Sequence, residues 1–435
     1  MLRPARLPLA ALARAWRARS LWVALAALVL VLARAAGAAA PSVVLISLDG
    51  TRPSDVRSLP AFRRIAEQGA LGAGLIPAFP SNTFPNHVTF VTGVSPDRHG
   101  IVNNVFVDPQ RGLYRYANDP SWIEVQPLWS LLAKAGMPSA SYFWVGSEGR
   151  WSDGLGPREW KAFDGSVPES EKVRQILAWL TAPDPPRLVT SWFRGADGTG
   201  HRFGPDAPEV AETLAQQDAA IGALLDGLAE GGLLASTTVL LVSDHGMVPV
   251  ARSVDLESVL GQAGIRADVI GGGGFATVNL RAPRGWFFWP SPTETGASRV
   301  RRAERAAAVA RSLGLEAWVR GAGPPEFAIR NPRFGDVVVL APLGTLILGH
   351  TSSIGQAAAA LATGPLRGAH GYRPELAEMT GLFAAIGRGV EPRSRPALVH
   401  AVDVAPTVLS LLGVQPPEWM EGRSVQLSAP RSDDR

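Results

Sequence analysis

Two stretches restrict the fold more than any others. Residues 43–48 (VVLISL) and Thr237–Val242 (TTVLLV) are nearly unbroken apolar and β-branched runs. A run of this kind, without polar alternation, reads as a strand buried on both faces, the habit of parallel sheets. Each run ends in a carboxylate: Asp49 with Gly50 behind it, and Asp244 with His245 and Gly246 behind it. Around them the pattern alternates. Strands are expected at 142–144, 187–193, 337–340 and 381–386. Helices are expected at 60–68, 208–231, 299–313 and 404–412, with Gly69 stopping the first and Asp403 capping the last. This alternation predicts one wound α/β domain with insertions, a fold that places ligands at the carboxyl ends of its strands.

A third stretch suggests what those ends are for. Thr83 lies between Pro80 and Pro85, ahead of an apolar segment (88–91) that predicts the start of a buried helix. A hydroxyl at a helix head is surrounded by backbone N–H groups, which suits a phosphate. Threonine is a weak nucleophile and needs an activator. No histidine stands at triad spacing, although His87 is near, so a metal ion is the alternative. The chain has no cysteine, so any ligands must be carboxylates and imidazoles. Asp197 and His201 are four residues apart, one helical turn or one tight loop. Asp244 and His245 end a strand, and His370 sits close to glycines in Gly368-Ala369-His370-Gly371. Any one of these is unremarkable as a turn former or core residue. Together with Asp49, they supply three carboxylates and three imidazoles, the complement of two three-ligand zinc sites. Two ions ~4 Å apart clamp an in-line phosphoryl transfer.

The formal charge of +4 does not indicate a nucleic-acid binder. Six arginines lie within residues 1–40, which contain no acid, and without them 36 basic residues face 38 acidic ones. No binding to duplex nucleic acid is expected. The same forty residues run from basic to apolar (21–32) to small, the order of a cleaved secretory signal. The apolar run is shorter than the ~20 residues of a membrane span. A periplasmic or secreted bacterial protein is expected, with a membrane anchor the less favoured reading; basic residues are almost all arginine, with three lysines. The expected organisation is a signal at 1–40, a catalytic domain at 41–427 and a disordered polar tail at 428–435. Residues 253–363 are expected as an insertion leaning over the sheet edge. It would carry a glycine loop at 271–274 and an aromatic hairpin at 286–289.

The segments Asn82-Thr-Phe-Pro-Asn-His87, Thr92-Gly93, His99-Gly-Ile-Val-Asn-Asn104, Asp197-x-x-Gly-His201, Ser243-Asp-His-Gly-Met247 and His370-Gly-Tyr372 resemble the nucleotide pyrophosphatase/phosphodiesterase family of the alkaline phosphatase superfamily. The resemblance runs from about Val43 to Ser424. It implies an alkaline-phosphatase-like mixed, mostly parallel sheet with helices on both faces. It implies two Zn2+ per chain, one held by Asp49, Asp244 and His245 and the other by Asp197, His201 and His370. Thr83 would be the nucleophile, passing through a phospho- or nucleotidyl-threonine. Asn104 would bind a phosphate oxygen, and Phe84, Phe163 and Trp192 would flank a nucleobase, with core packing as the alternative for all three. The implied substrate is a nucleotide or another phosphodiester. A phosphomonoesterase or phosphonate hydrolase on the same fold, and a zinc-containing binding protein, are the competing readings. A monoesterase would be expected to carry an extra cation at the phosphate, and the sequence shows no Lys-x-Arg pair in the motifs.

Overall fold

The computed structural model describes residues 40–282, 294–349 and 366–427. The expected leader, the tail and the aromatic hairpin at 286–289 lie outside those residues. The central sheet has seven strands: β1 (Ser42–Leu48), β2 (Ala70–Leu71), β3 (Ser139–Tyr142), β4 (Glu159–Lys161), β5 (Leu188–Phe193), β6 (Thr237–Val242) and β7 (Phe383–Gly387). Their spatial order is β2-β7-β6-β1-β5-β3-β4. β1, β3, β4, β5 and β6 run parallel, while at one edge β7 runs antiparallel to β6 and β2 pairs antiparallel with β7. β1, β5 and β6 are buried from end to end, as their unbroken apolar patterns require.

The principal helices are α1 (Pro60–Gln68), α2 (Thr83–Thr92), α3 (Glu169–Leu180), α4 (Gly195–Phe203), α5 (Pro208–Glu230), α6 (Gly296–Ser312) and α7 (Val404–Leu411). Alternation along β1 assigns its side chains to two layers. Val44 and Ile46 pack with Phe62 of α1, Ile176 of α3 and Leu224 of α5. Val43 and Leu45 pack with Val88 of α2 and Val408 of α7. Each such fully buried aliphatic contributes about 1.5–3 kcal/mol, so the centre of the sheet is the rigid part of the molecule.

The region expected as a loose insertion holds a four-stranded antiparallel sheet, Ala267–Gly271, Phe275–Leu280, Val337–Leu340 and Glu316–Val319 in that spatial order. Helix α6 covers it. Its buried residues are Ala303, Ala306, Ala307 and Ala310, one stripe at helical spacing that lets the helix sit close to the strands. This sheet does more than cover an edge. Its 271–274 turn presses on the segment carrying His370: a Cβ on Gly273 would lie 2.4 Å from the His370 carbonyl oxygen, and one on Gly274 would lie 2.3 Å from the Tyr372 ring. Gly274 N–H also donates to the His370 carbonyl at 2.8 Å. Glycine is required here by close approach.

Three local expectations change. The strand expected at 142–144 is Ser139–Tyr142; Phe143 has φ +59° and turns the chain out of the sheet, and the apolar pattern there marks core packing of Phe143 and Trp144. Helix α2 begins at Thr83 itself, with Asn82 as its N-cap, so Thr83 is in the first helical turn and not in a turn before it. Asp403 does not cap α7 through its side chain; its carboxylate accepts from the N–H groups of His400 and Arg423.

Candidate active site

Register brings the strand-end residues together. Ser47 of β1 stands opposite Val242 of β6, and two residues further on Asp49 is level with Asp244. Gly50, at φ +67°, lets the chain turn away beside Asp197: a Cβ there would meet the Asp197 Cα at 3.1 Å. Asp197 lies in the first turn of α4 and His201 one turn later, with His201 Nε2 3.2 Å from Asp197 Oδ1. His370 follows the short strand Gly368–Ala369, its Nε2 3.8 Å from the same oxygen. Thr83 Oγ1 is 3.2 Å from His245 Nε2. His87, the histidine nearest Thr83 in sequence, bonds the Thr83 carbonyl through Nδ1 at 2.9 Å. It is a link within the helix and not a base for the hydroxyl.

Two sets of donor atoms each fall within 4.8 Å of one another, Asp197, His201 and His370 in one and Asp49, Asp197 and His245 in the other. Asp197 therefore belongs to both. Asp244 adjoins the second set, with Oδ2 3.2 Å from His245 Nε2 while Oδ1 accepts from Gly50 N–H. The arrangement suits cations for two reasons. Asp49 Oδ1, Asp197 Oδ1 and Asp244 Oδ2 are buried without a hydrogen-bond partner among the described residues, a costly state for carboxylates unless something positive pairs with them. The imidazoles are also turned for ligation. Nδ1 of His201 bonds the Gly368 carbonyl (2.8 Å), Nδ1 of His245 the Gly246 carbonyl (3.0 Å), and Nδ1 of His370 both the Ser81 carbonyl (3.1 Å) and Asn82 Oδ1 (2.9 Å). Each bond leaves Nε2 facing the carboxylates, the orientation in which a histidine binds a metal.

Electrostatics agree. Burial, then the charges of Asp244 and Asp197, push the Asp49 carboxyl well above its usual range. Burial, then the neighbouring His245 and His201, pull His370 down. Burial opposes charge on both Asp197 and His201, but their mutual attraction prevails, holding Asp197 low and lifting His201 to about 9. Carboxylates forced together, as Asp49 is with Asp244 and Asp197, are what a divalent cation relieves.

A cavity of about 630 Å³ opens over this cluster, lined by Thr83, Phe84, Asn104, Tyr116, Trp192 and Phe163 among others. Asn104 Oδ1 accepts from Phe84 N–H at 2.8 Å, and its side chain also bonds Tyr116 at the cavity. Asn103 instead accepts from Asn82 Nδ2 and from the Asn104 N–H, so its role is to brace the loop. Phe163 is 41% exposed and stacks on Trp192, centroids 5.4 Å apart. Phe84 meets Trp192 and Tyr116 edge-on at 6.2 and 5.2 Å. Trp192 also reaches the carboxylate cluster, where its Nε1–H donates to Asp49 Oδ2 at 2.9 Å.

Three participants escaped the sequence analysis. Asn82 orients His370, and its only sequence signal is its place before a helix-head threonine. Tyr116 stands 53% exposed at the cavity mouth with φ +43°, and nothing in its local sequence marks it. Arg194 also lines the cavity, although no motif contains it.

Sheet, helix layers and strand-end cluster define an alkaline-phosphatase-like protein of metal-dependent type. The family model for type I phosphodiesterase / nucleotide pyrophosphatase matches residues 43–373, and the chain belongs to that family. It is 34% identical over 223 residues to human ectonucleotide pyrophosphatase/phosphodiesterase family member 1, a match covering 49% of this chain and 24% of the relative. It is 32% identical over 219 residues to the venom phosphodiesterase of Macrovipera lebetinus, covering 48% and 26%. The matched segment thus spans about a quarter of the length of these relatives. Among solved structures, murine ectonucleotide pyrophosphatase/phosphodiesterase 5 superposes with a TM-score of 0.74 at 25% identity, covering 86% of this chain and 96% of that one.

Proposed function

We propose that this chain is an exported, two-zinc phosphodiesterase and nucleotide pyrophosphatase that works through a covalent intermediate on Thr83. The observation that carries this reading is the cluster of carboxylate oxygens without hydrogen-bond partners that face the Nε2 atoms of the histidines beside the Thr83 hydroxyl. Asp49, Asp244 and His245 would hold one zinc ion and Asp197, His201 and His370 the other, with Asp197 within reach of both. Bound there, the cations would supply the positive charge that ionises a hydroxyl near neutral pH and neutralises a phosphate.

Thr83 Oγ1 attacks phosphorus from the head of α2. The Oγ1–P bond forms as the bond to the leaving oxygen breaks, and that oxygen departs with its electron pair. Water then cleaves the phosphothreonyl ester and restores the hydroxyl. Asn104 offers its amide to a non-bridging oxygen. The Phe163–Trp192 stack, with Phe84 and Tyr116, forms the wall for a base, where stacking is worth about 1–3 kcal/mol. A nucleotide ligand accords with the structure of an inactive variant of murine family member 5, which was solved in complex with AMP. The leader-like sequence at 1–40 supports action outside the cytoplasm.

The test is a panel of a nucleoside triphosphate, an aryl phosphodiester and an aryl phosphomonoester, run on protein of measured metal content. The expected order puts diester and triphosphate above monoester, with about two zinc equivalents per chain. A preference for the monoester would overturn the reading.

A further inference from the structure

A second cavity of about 980 Å³ adjoins the first, and Phe163, Arg194, Gly198 and His201 line both. Arg194 stands where they meet, immediately before α4. Two glycines make room for its guanidinium: a Cβ on Gly165 would be 2.7 Å from Nη1, and one on Gly198 would be 3.8 Å from Nη2. Most of the other arginines that fix this fold are paired, as in Arg52–Asp55, Arg299–Asp336 and Arg333–Asp108. Arg194 is exposed and makes no hydrogen bond or ion pair with a described residue.

The carboxylates of the second cavity are bonded to other groups. Asp164 accepts from Ser166 N–H and Oγ–H, and Glu169 accepts from Gln217 Nε2–H and Gly195 N–H. Two more cations line the same space. Arg202 faces the Phe203 ring, and Lys172 donates to the Trp192 carbonyl from beneath. An in-line displacement sends the leaving group away from Thr83, and the second cavity is open space that shares the His201 and Arg194 wall with the first.

We propose that Arg194 is a specificity-determining residue that receives a phosphate-terminated leaving group, such as the pyrophosphate released from a nucleoside triphosphate, with Arg202 further along the same wall. The proposal rests on the function proposed above. A planar guanidinium with its donors free matches phosphate oxygens two at a time.

The experiment compares wild type, Arg194→Gln and Arg194→Lys on a nucleoside triphosphate and on the aryl ester of the same nucleoside 5′-monophosphate, whose aryloxide leaving group carries no phosphate. In Arg194→Gln the ratio of the two kcat/KM values should shift against the triphosphate by about ten- to a hundredfold. Arg194→Lys should recover part of it, and added salt should shrink the difference, as it does for an exposed charge. An unchanged ratio overturns the proposal. A second arm needs no turnover: pyrophosphate binding to metal-loaded Thr83→Ala protein, measured by calorimetry with and without Arg194→Gln. Weakening by a similar factor supports the subsite, and equal affinity sinks it. If wild type cleaves neither substrate, the functional reading fails, and the pyrophosphate arm still decides Arg194.

Discussion

Asp49 and Asp244 hang from the ends of two adjacent buried strands, whereas His201 and His370 are carried by a helix turn and by a loop that glycines press into place. The inner residues are positioned by sheet register, which cannot shift without turning every apolar side chain of β1 to the wrong layer. The outer residues depend on second partners: the Gly368 carbonyl for His201, Asn82 and the Ser81 carbonyl for His370. Burial follows the same division. The side chains of Asp49 and Asp244 are at most 1% exposed, while those of Asp197 and His201 are 15% and 22% exposed. A cation held by the inner set should therefore be tighter and slower to exchange than one held by the outer set.

The largest expected effect comes from breaking the inner set. Asp244→Ala should cost about three orders of magnitude in kcat, a loss of several kcal/mol of charge stabilisation, and excess zinc should not restore it. Activity measured across a zinc titration would show this. An Asp244→Ala enzyme fully rescued by zinc would erase the distinction between the sets.

Breaking the outer set should be gentler and reversible. His370→Ala should lose one zinc equivalent on dialysis and regain part of its activity with added zinc. Asn82→Ala, which removes one of the two partners of His370 Nδ1 along with the bond to Asn103, should weaken metal affinity about ten- to a hundredfold. Metal content by elemental analysis, before and after dialysis, is the measurement.

Trp192 touches both the slot and the inner set, so two substitutions separate its roles. Trp192→Phe keeps a stacking ring but removes the bond to Asp49. Trp192→Ala removes both, and loss of stacking should raise KM for nucleotides by about 5- to 150-fold. The expected outcome is a kcat loss shared by both variants and a KM rise confined to Trp192→Ala. Equal KM values in the two would mean that the ring packs and does not bind.

His99 is a buried imidazole outside both sets and serves as the control. Its Nδ1 accepts from Ile101 N–H and its Nε2 lies 3.0 Å from Thr89 Oγ1. Burial pulls it from the ordinary 6.5 down to about 3. Between these values the unfolded chain binds a proton that the folded one refuses, so stability is lost as pH falls through that window, by up to roughly 1.4 kcal/mol per pH unit. His99→Gln should flatten that part of the acid limb, read from denaturant midpoints between pH 4 and 7, with metal content unchanged.

What could be read from the sequence divides along the same line. The inner set was legible because buried parallel strands leave continuous apolar runs, and the carboxylates just past two such runs, each unremarkable alone, stand out when taken together with the histidines. Asp197 and His201 were legible from their four-residue spacing, one helical turn or one tight loop, and the structure makes it a helical turn. Asn82, Tyr116 and Arg194 were not: Asn82 meets His370 across 288 residues, Tyr116 meets Phe84 from a separate segment, and no motif contains Arg194. The strand at Ser139–Tyr142 was misplaced because its small polar residues pair in the sheet while Phe143 and Trp144, just beyond it, supply the apolar signal. The 271–274 glycines looked like a loose loop, and only the His370 backbone against them explains why side chains are excluded.

The central claim is that Thr83 Oγ1 becomes covalently linked to phosphorus inside a cluster that binds metal independently of it. The direct test is rapid acid quenching of turnover with a nucleotide substrate, followed by mass spectrometry of the peptide containing Thr83, alongside metal analysis of Thr83→Ala. The account predicts a nucleotidyl adduct on Thr83 in the wild type, none in Thr83→Ala, and full metal content with turnover nearly abolished in that variant. A metal-loaded Thr83→Ala enzyme that keeps most of its diesterase activity would contradict it.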